Sequence, residues 1–199
     1  MEQEFKWSVP DSSVFVSMLA SDHLPPVQKL TNTQMDAIYY DTNDSLINRL
    51  HGGLRLRQEG NDSICCLKLA AESSQDGALK SREEYECAAP DIKTGLERLP
   101  QAGAPLSLCE AILVSGVIEL GRTSFVRRAV ILDTGSCTAE LSLDVGRVTR
   151  GERYAPICEI ELEFKSGDHT AFEMLGMHLQ EDFHLKPQPL SKLARMLHL

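Results

Sequence analysis

Six stretches of the sequence carry charged or polar side chains at every second position, a spacing that gathers them on one face of an extended strand. The first, EQEFK, aligns Glu2, Glu4 and Lys6. GLRLR aligns Arg55 with Arg57, and CLKL sets Lys68 in phase with Cys66. REEYE aligns Arg82, Glu84 and Glu86, and ELSLD aligns Glu140, Ser142 and Asp144. EIELE makes a ladder of Glu159, Glu161 and Glu163. Neighbouring carboxylates on a strand face repel unless a cation or water relieves them. Carboxylates alone collect hard divalent cations; arginine and lysine alone collect phosphates or carboxylates. The two sets together suit a complex of Mg²⁺ or Mn²⁺ with a chain of phosphates.

A solvated face of an amphipathic antiparallel sheet explains any one of these strands. It does not explain the set. Solvated faces interleave the two signs with Ser, Thr and Gln, whereas here one strand carries arginines alone and another glutamates alone. Segregation of sign by strand is expected where several faces line a shared cavity. A closed barrel turns such faces toward one another, and eight strands leave an interior wide enough for one small ligand.

The elements that must position these groups are legible in outline. The charged opening strand leads into a short helix in VPDSSVFVSMLASD, capped by Asp11 or Ser12, with Val14, Phe15, Met18 and Leu19 as its apolar stripe. A long strand, VQKLTNTQMDAIYYDT, precedes the connecting segment DSLINRLHGG. GLRLRQE and DSICCLKLA, joined through Gly60, Asn61 and Asp62, form a hairpin. The loop ESSQDGA separates it from SREEYECAA. Between Pro90 and about Ser115 the period is helical and broken by prolines, which predicts two short helices. Three alternating strands follow, VIELGRTSFVRRAVILDT, TAELSLDVGRVTRG and APICEIELEFKSG, turning at Gly135 and Gly151. A helix from Asp168 to Gln180 buries Phe172, Leu175 and Leu179, and LSKLARMLHL closes the chain as another. About eight strands with inserted helices make an α+β domain, one unit over residues 1–199.

Composition narrows the function. The formal net charge of −9 excludes a general nucleic-acid binder, which needs a surplus of cations on an open surface. It leaves room for a small anion held by locally clustered cations. The six cysteines show no zinc-type spacing and fall mainly in apolar runs. With no signal peptide and no apolar run near the roughly 20 residues of a membrane span, a cytoplasmic protein without membrane partners is expected. The six histidines are scattered over loops and helices as structural or surface residues. Nothing in the sequence fixes an oligomeric state.

Glu2-Gln3-Glu4-Phe5-Lys6 resembles the ExExK motif that opens members of the CYTH superfamily, the triphosphate tunnel metalloenzymes. YYDT (39–42), GLRLR (53–57), CLKL (66–69), REEYE (82–86), a basic strand with Arg127, CEIELEFKSGD (158–168) and LSKLAR (190–195) follow in the superfamily's order. The chain looks most like the CYTH module of bacterial inorganic triphosphatases. The resemblance implies a closed eight-stranded antiparallel barrel forming a tunnel, with helices packed outside it. It implies a metal-dependent phosphoanhydride hydrolase that splits inorganic triphosphate into pyrophosphate and phosphate. Carried over by position, Glu2, Glu4, Glu84, Glu86, Asp144, Glu159, Glu161 and Glu163 become the metal ligands. Lys6, Arg55, Arg57, Lys68, Arg82, Arg127 and Lys192 become the phosphate contacts, with Arg195 a weaker one. Lys6, Glu161 and Lys192 stand closest to the chemistry.

One position departs from the pattern. Many members carry a KxR pair on the strand of Arg127, and here the first position is Phe125, so one phosphate contact is either missing or supplied by Arg122 or Arg128 from nearby. The same superfamily includes thiamine triphosphatases and class IV adenylate cyclases. An organic end group could stack on Trp7 or Tyr40, each of which is equally suited to the core. A non-catalytic polyphosphate-binding module is a further alternative, although binding alone needs only the cations.

Overall fold

The computed structural model describes residues 2–70 and 79–199. The chain runs β1 (Glu2–Ser8), α1 (Ser13–Leu19), β2 (Val27–Asp41), α2 (Leu46–Arg49), β3 (Gly53–Glu59), β4 (Asp62–Ala70) and β5 (Leu79–Ala88). It continues through α3 (Ile92–Arg98), a 3₁₀ turn (Leu99–Ala102), α4 (Leu106–Ser115), β6 (Ile118–Asp133), β7 (Cys137–Arg150) and β8 (Arg153–Gly167). It ends with α5 (His169–Asp182), the two-residue β9 (Lys186–Pro187) and α6 (Lys192–Leu197). The expected ESSQDGA loop lies outside the described residues.

Eight strands close an antiparallel barrel in the order β5-β4-β3-β2-β6-β7-β8-β1, with β1 pairing back onto β5. Closure removes both sheet edges. β9 is an appendage on β1 at Trp7 and Ser8. The predicted hairpin forms: β3 and β4 pair from Glu59↔Asp62 to Gly53↔Lys68 around Gly60, whose φ of 60° suits a residue without a Cβ.

Alternation sends one side of each strand outward, where helices cover it. Outer residues Phe5, Trp7, Val130, Leu141, Leu143, Ile160 and Leu162 pack under α1 and α5 through Phe15, Met18, Phe172 and Leu179. On the far side, Leu54, Cys65 and Leu67 pack under α3 and α4 through Leu96, Cys109 and Ile112. Removing this much aliphatic and aromatic surface from water is the main force holding the helices to the barrel.

The helix ends follow ordinary capping chemistry. Asp91, Asp168 and Ser191 each accept a backbone N–H of the first turn of α3, α5 and α6. At α1 it is Asp11, one residue before the N-cap position, that accepts the Ser13 N–H at 2.7 Å. Asp41 of YYDT has a structural task. Its buried carboxylate accepts N–H groups of Thr42, Ile47 and Asn48 and fixes α2 against the end of β2.

Candidate active site

The inward faces of the strands enclose a cavity of about 460 Å³. Of the predicted residues, Glu2, Glu4, Lys6, Arg55, Arg57, Lys68, Arg82, Glu84, Glu86, Arg127, Glu161, Glu163 and Lys192 line it. Strand register sets their neighbours. Glu4 lies opposite Glu163, and Glu163 opposite Glu140, so three carboxylates cross β1, β8 and β7 in one row. Lys6 lies opposite Glu161, and Arg127 opposite Asp144.

Two ion-pair networks divide the wall. In the first, Arg127 grips Asp144 through Nε and Nη2, both at 2.7 Å, and also contacts Glu161. Lys192 Nζ lies 2.7 Å from Asp144 and 3.0 Å from Glu161 and also contacts Glu159. Lys6 adds a 3.1 Å pair to Glu161 and a 3.4 Å pair to Glu4, and Arg195 pairs with Glu159. Four carboxylates, Glu4, Asp144, Glu159 and Glu161, are thus matched by four cations. Asp144 and Glu159 have no exposed surface and lie behind the cations, outside the cavity lining.

The second network spans β1, β3, β4 and β5. Lys68 meets both Glu2 oxygens at 2.6 and 2.8 Å and Glu84 at 3.1 Å. Arg55 lies 3.7 Å from Glu84 and 3.8 Å from Glu86, and Arg57 pairs with Glu59 at 3.1 Å and Glu86 at 3.4 Å. The Cys66 thiol points into this network and donates to Glu84 at 3.0 Å. Among the described residues, the Nε–H groups of Arg55 and Arg57 are buried without a partner. A buried donor left unpaired is costly, so these two groups are well suited to receive an anionic oxygen.

The networks fix protonation states. Burial alone would depress the Lys6 ammonium, but Glu161, Glu4 and Glu159 outweigh it and hold its pKa above the usual lysine value. Lys192 is held well above that value, because Asp144, Glu159 and Glu161 overcome its unfavourable burial. Burial would raise Glu161, yet Lys192, Lys6 and Arg127 hold its carboxyl well below the ordinary range. Glu163 goes the other way. Burial raises its pKa, Lys165 lowers it, and nearby Glu2 and Glu140 raise it further, leaving it above the ordinary value.

The structure decides three readings. Arg122 and Arg128 do not substitute at the Phe125 position: Arg122 is exposed and pairs with Glu119 at 2.7 Å, and Arg128 is also exposed. Both fall on the outward side of the alternation that turns Phe125 and Arg127 inward. Arg195 is not in the cavity lining; it holds buried Glu159. Trp7 and Tyr40 offer no stacking surface in the cavity. Trp7 is fully buried in the outer core and donates to Gln180, and Tyr40 packs against the cluster under α3 and α4.

Other residues also line the cavity. Glu140, which alternation aligns with Asp144 but to which the resemblance gives no role, is one of them. Met35 and Tyr39 also turn inward and, with Phe125, Val148 and Ile157, pack against Met196 and Leu193 of α6. This apolar cluster fills one end of the lumen, and periodicity alone does not distinguish a filled lumen from an outer core. His51 is exposed, as expected of a structural or surface histidine, and also borders the cavity.

Carboxylate oxygens are the donors a hard divalent ion takes. Those of Asp144, Glu159 and Glu161 lie within 4.8 Å of one another but surround the Lys192 ammonium, and Glu84 and Glu86 form a second group of that spacing with the Cys66 thiol.

The chain matches the CYTH domain family over residues 1–197. A curated inorganic triphosphatase of Haemophilus influenzae is 30% identical over 130 residues, which make up 65% of this chain and 36% of that protein. The match therefore spans little more than a third of that relative's length. A solved structure from Hippeastrum, described as a proposed adenylyl cyclase with a dominant triphosphatase activity, aligns with TM-score 0.63 at 16% identity. The alignment covers 100% of this chain and 96% of that one. A Pyrococcus horikoshii protein aligns with TM-score 0.65 at 17% identity, over 100% and 99% of the two chains. At such identities the likeness of structures speaks for the fold. With a closed barrel, inward charged faces and a family match over nearly its whole length, the chain belongs to the CYTH domain family.

Proposed function

We propose that this protein is a divalent-metal-dependent inorganic triphosphatase that hydrolyses tripolyphosphate to pyrophosphate and phosphate. The observation that carries the reading is the pairing of unmatched, buried guanidinium donors on Arg55 and Arg57 with a carboxylate-rich wall across the same cavity. Family membership and the curated triphosphatase relative support it.

In this reading Lys6, Arg55, Arg57, Lys68, Arg82, Arg127 and Lys192 bind the non-bridging phosphate oxygens and hold the chain of phosphates in line. Lys6 and Lys192 stay protonated at neutral pH, so they bind and orient rather than accept protons. Glu161 stays anionic and orients Lys6, Arg127 and Lys192. Glu2, Glu4, Glu84, Glu86, Glu161 and Glu163, on the cavity wall, form the set from which ligands to Mg²⁺ or Mn²⁺ are drawn, while buried Asp144 and Glu159 hold the cations behind them. A bound ion supplies charge neutralisation on the phosphate oxygens and a more acidic water. Hydrolysis forms one P–O bond to water and breaks one bridging P–O bond, so no covalent enzyme intermediate is required. The substrate is a small molecule and not nucleic acid, consistent with the −9 net charge. We assign the activity to one domain, residues 1–199. We place it in the cytosol, in keeping with six free thiols and, among the described residues, no helix long and apolar enough to cross a membrane.

The test is a panel of tripolyphosphate, thiamine triphosphate, ATP and long-chain polyphosphate, each assayed with Mg²⁺, Mn²⁺ or a chelator. Tripolyphosphate is expected to give the highest kcat/KM, and the chelator to abolish turnover. Removing a desolvated phosphate contact or a metal ligand costs about 2–5 kcal/mol of transition-state stabilisation. Arg57→Ala and Glu4→Ala should therefore lose most activity while remaining folded. Full activity in a folded Glu4→Ala protein, or turnover that survives the chelator, would remove the metal from the reading.

A further inference from the structure

Phe125 occupies an unusual place: an aromatic ring on the charged wall of the cavity, flanked by two cations. The Lys192 ammonium lies 4.8 Å from the ring centroid and the Arg127 guanidinium carbon 5.9 Å from it. Phe125 and Lys192 are each only 7% exposed, so the lysine contact is nearly free of water. A ring face is electronegative and attracts a desolvated cation, which an aliphatic side chain of similar size does not. The backbone makes room for this ring. Gly146 lies directly opposite Phe125 across β6 and β7, and a Cβ there would fall 2.5 Å from the Phe125 Cβ and 2.4 Å from its Cα.

We propose that Phe125 is a positioning residue that seats the Lys192 ammonium by a cation–π contact. Asp144, Glu159 and Glu161 pull Lys192 toward the buried wall, and the ring holds its remaining side. The cation is thereby fixed at the boundary between the apolar end of the lumen and the open cavity, facing the space an anion would occupy. Phe125 thus acts on an anion through Lys192 and needs no direct contact with it. The contribution to turnover rests on the triphosphatase reading; the seating of Lys192 does not.

Full-length protein labelled with [ε-¹³C]lysine separates the two. The Lys192 ε-methylene signal, assigned by its loss in Lys192→Arg, is expected upfield of the other lysines through the ring current. It should return to the ordinary position in Phe125→Leu and stay upfield in Phe125→Tyr. In parallel, Phe125→Leu is expected to lower kcat/KM for tripolyphosphate with Mg²⁺ about tenfold, mainly through KM, as a desolvated cation–π contact would supply. Phe125→Tyr should recover most of that loss. If Phe125→Leu melts below the assay temperature, Phe125→Met takes its place. An unchanged Lys192 signal or unchanged kcat/KM in the aliphatic variant overturns the proposal, as does a Tyr variant that falls as far as the aliphatic one. If the wild-type protein leaves tripolyphosphate intact, the triphosphatase reading fails and the lysine spectrum alone decides the seating.

Discussion

Lys192 shows how much one buried residue can carry. Its ammonium meets three carboxylates, of which Asp144 and Glu159 have no contact with solvent. Removing one partner of a buried ion pair leaves the other charged, desolvated and uncompensated, at a cost of about 3–5 kcal/mol. Lys192→Met keeps much of the aliphatic stem but deletes the charge. It is expected to lose stability of that order in denaturant unfolding, and to do so with substrate and metal both absent. A loss under about 1 kcal/mol, the range of exposed ion pairs, would mean that Arg127 and Arg195 suffice to neutralise the cluster. The residue scale also explains the poor reach of sequence motifs here. Glu159 and Glu163 belong to one ladder, yet one is sealed behind cations and the other lies on the cavity wall.

At the scale of elements, the helices keep the barrel shut while the strands present the chemistry. α5 crosses β1 so closely that Gly176 touches the Phe5 ring; a Cβ there would approach Phe5 Cε2 to 2.2 Å. Phe5 cannot easily retreat, because it stacks on Trp7 at 5.5 Å and leans on Phe172 at 5.6 Å. Overpacking a well-filled core costs about 1–3 kcal/mol. Gly176→Ala is therefore expected to lower the unfolding free energy by that amount in denaturant titration, although alanine ordinarily favours a helix. Because Phe5 faces outward while Glu4 and Lys6 face inward, kcat of the folded variant should be unchanged. A stabilised variant would contradict the close approach. α6 combines both tasks: its apolar face fills one end of the lumen through Met196 and Leu193, and its first residue delivers Lys192 to the ion-pair network.

For the molecule as a whole, the enclosed charge makes stability depend on pH. Glu161 has a folded pKa well below its unfolded value, so its stabilisation is complete above the ordinary carboxylate range near pH 4.5 and is lost as pH falls toward the folded value. Glu163 has the opposite sign, since its raised pKa makes the charged form a burden near neutrality. Unfolding in urea should show lower stability at pH 3 than at pH 6. Glu161→Gln should flatten that dependence, and Glu163→Gln should raise stability at pH 7 while impairing turnover. An acid profile that Glu161→Gln leaves unaltered would assign the loss to other carboxylates.

Alternation of side chains is a local property with a period of two, and the sequence alone therefore determined which residues share a face, which faces are charged and that a closed barrel would gather them. It also placed the helices, because amphipathic stripes such as Phe172, Leu175 and Leu179 are written in consecutive turns. Depth is not local. That Asp144 and Glu159 lie behind their cations, that Arg122 and Arg128 point away, and that Phe125 faces Lys192 from another element all follow from barrel closure and the docking of α6. Those contacts join residues up to 67 positions apart, from Phe125 to Lys192, and only the tertiary structure sets the distances that turn a list of charged residues into a site.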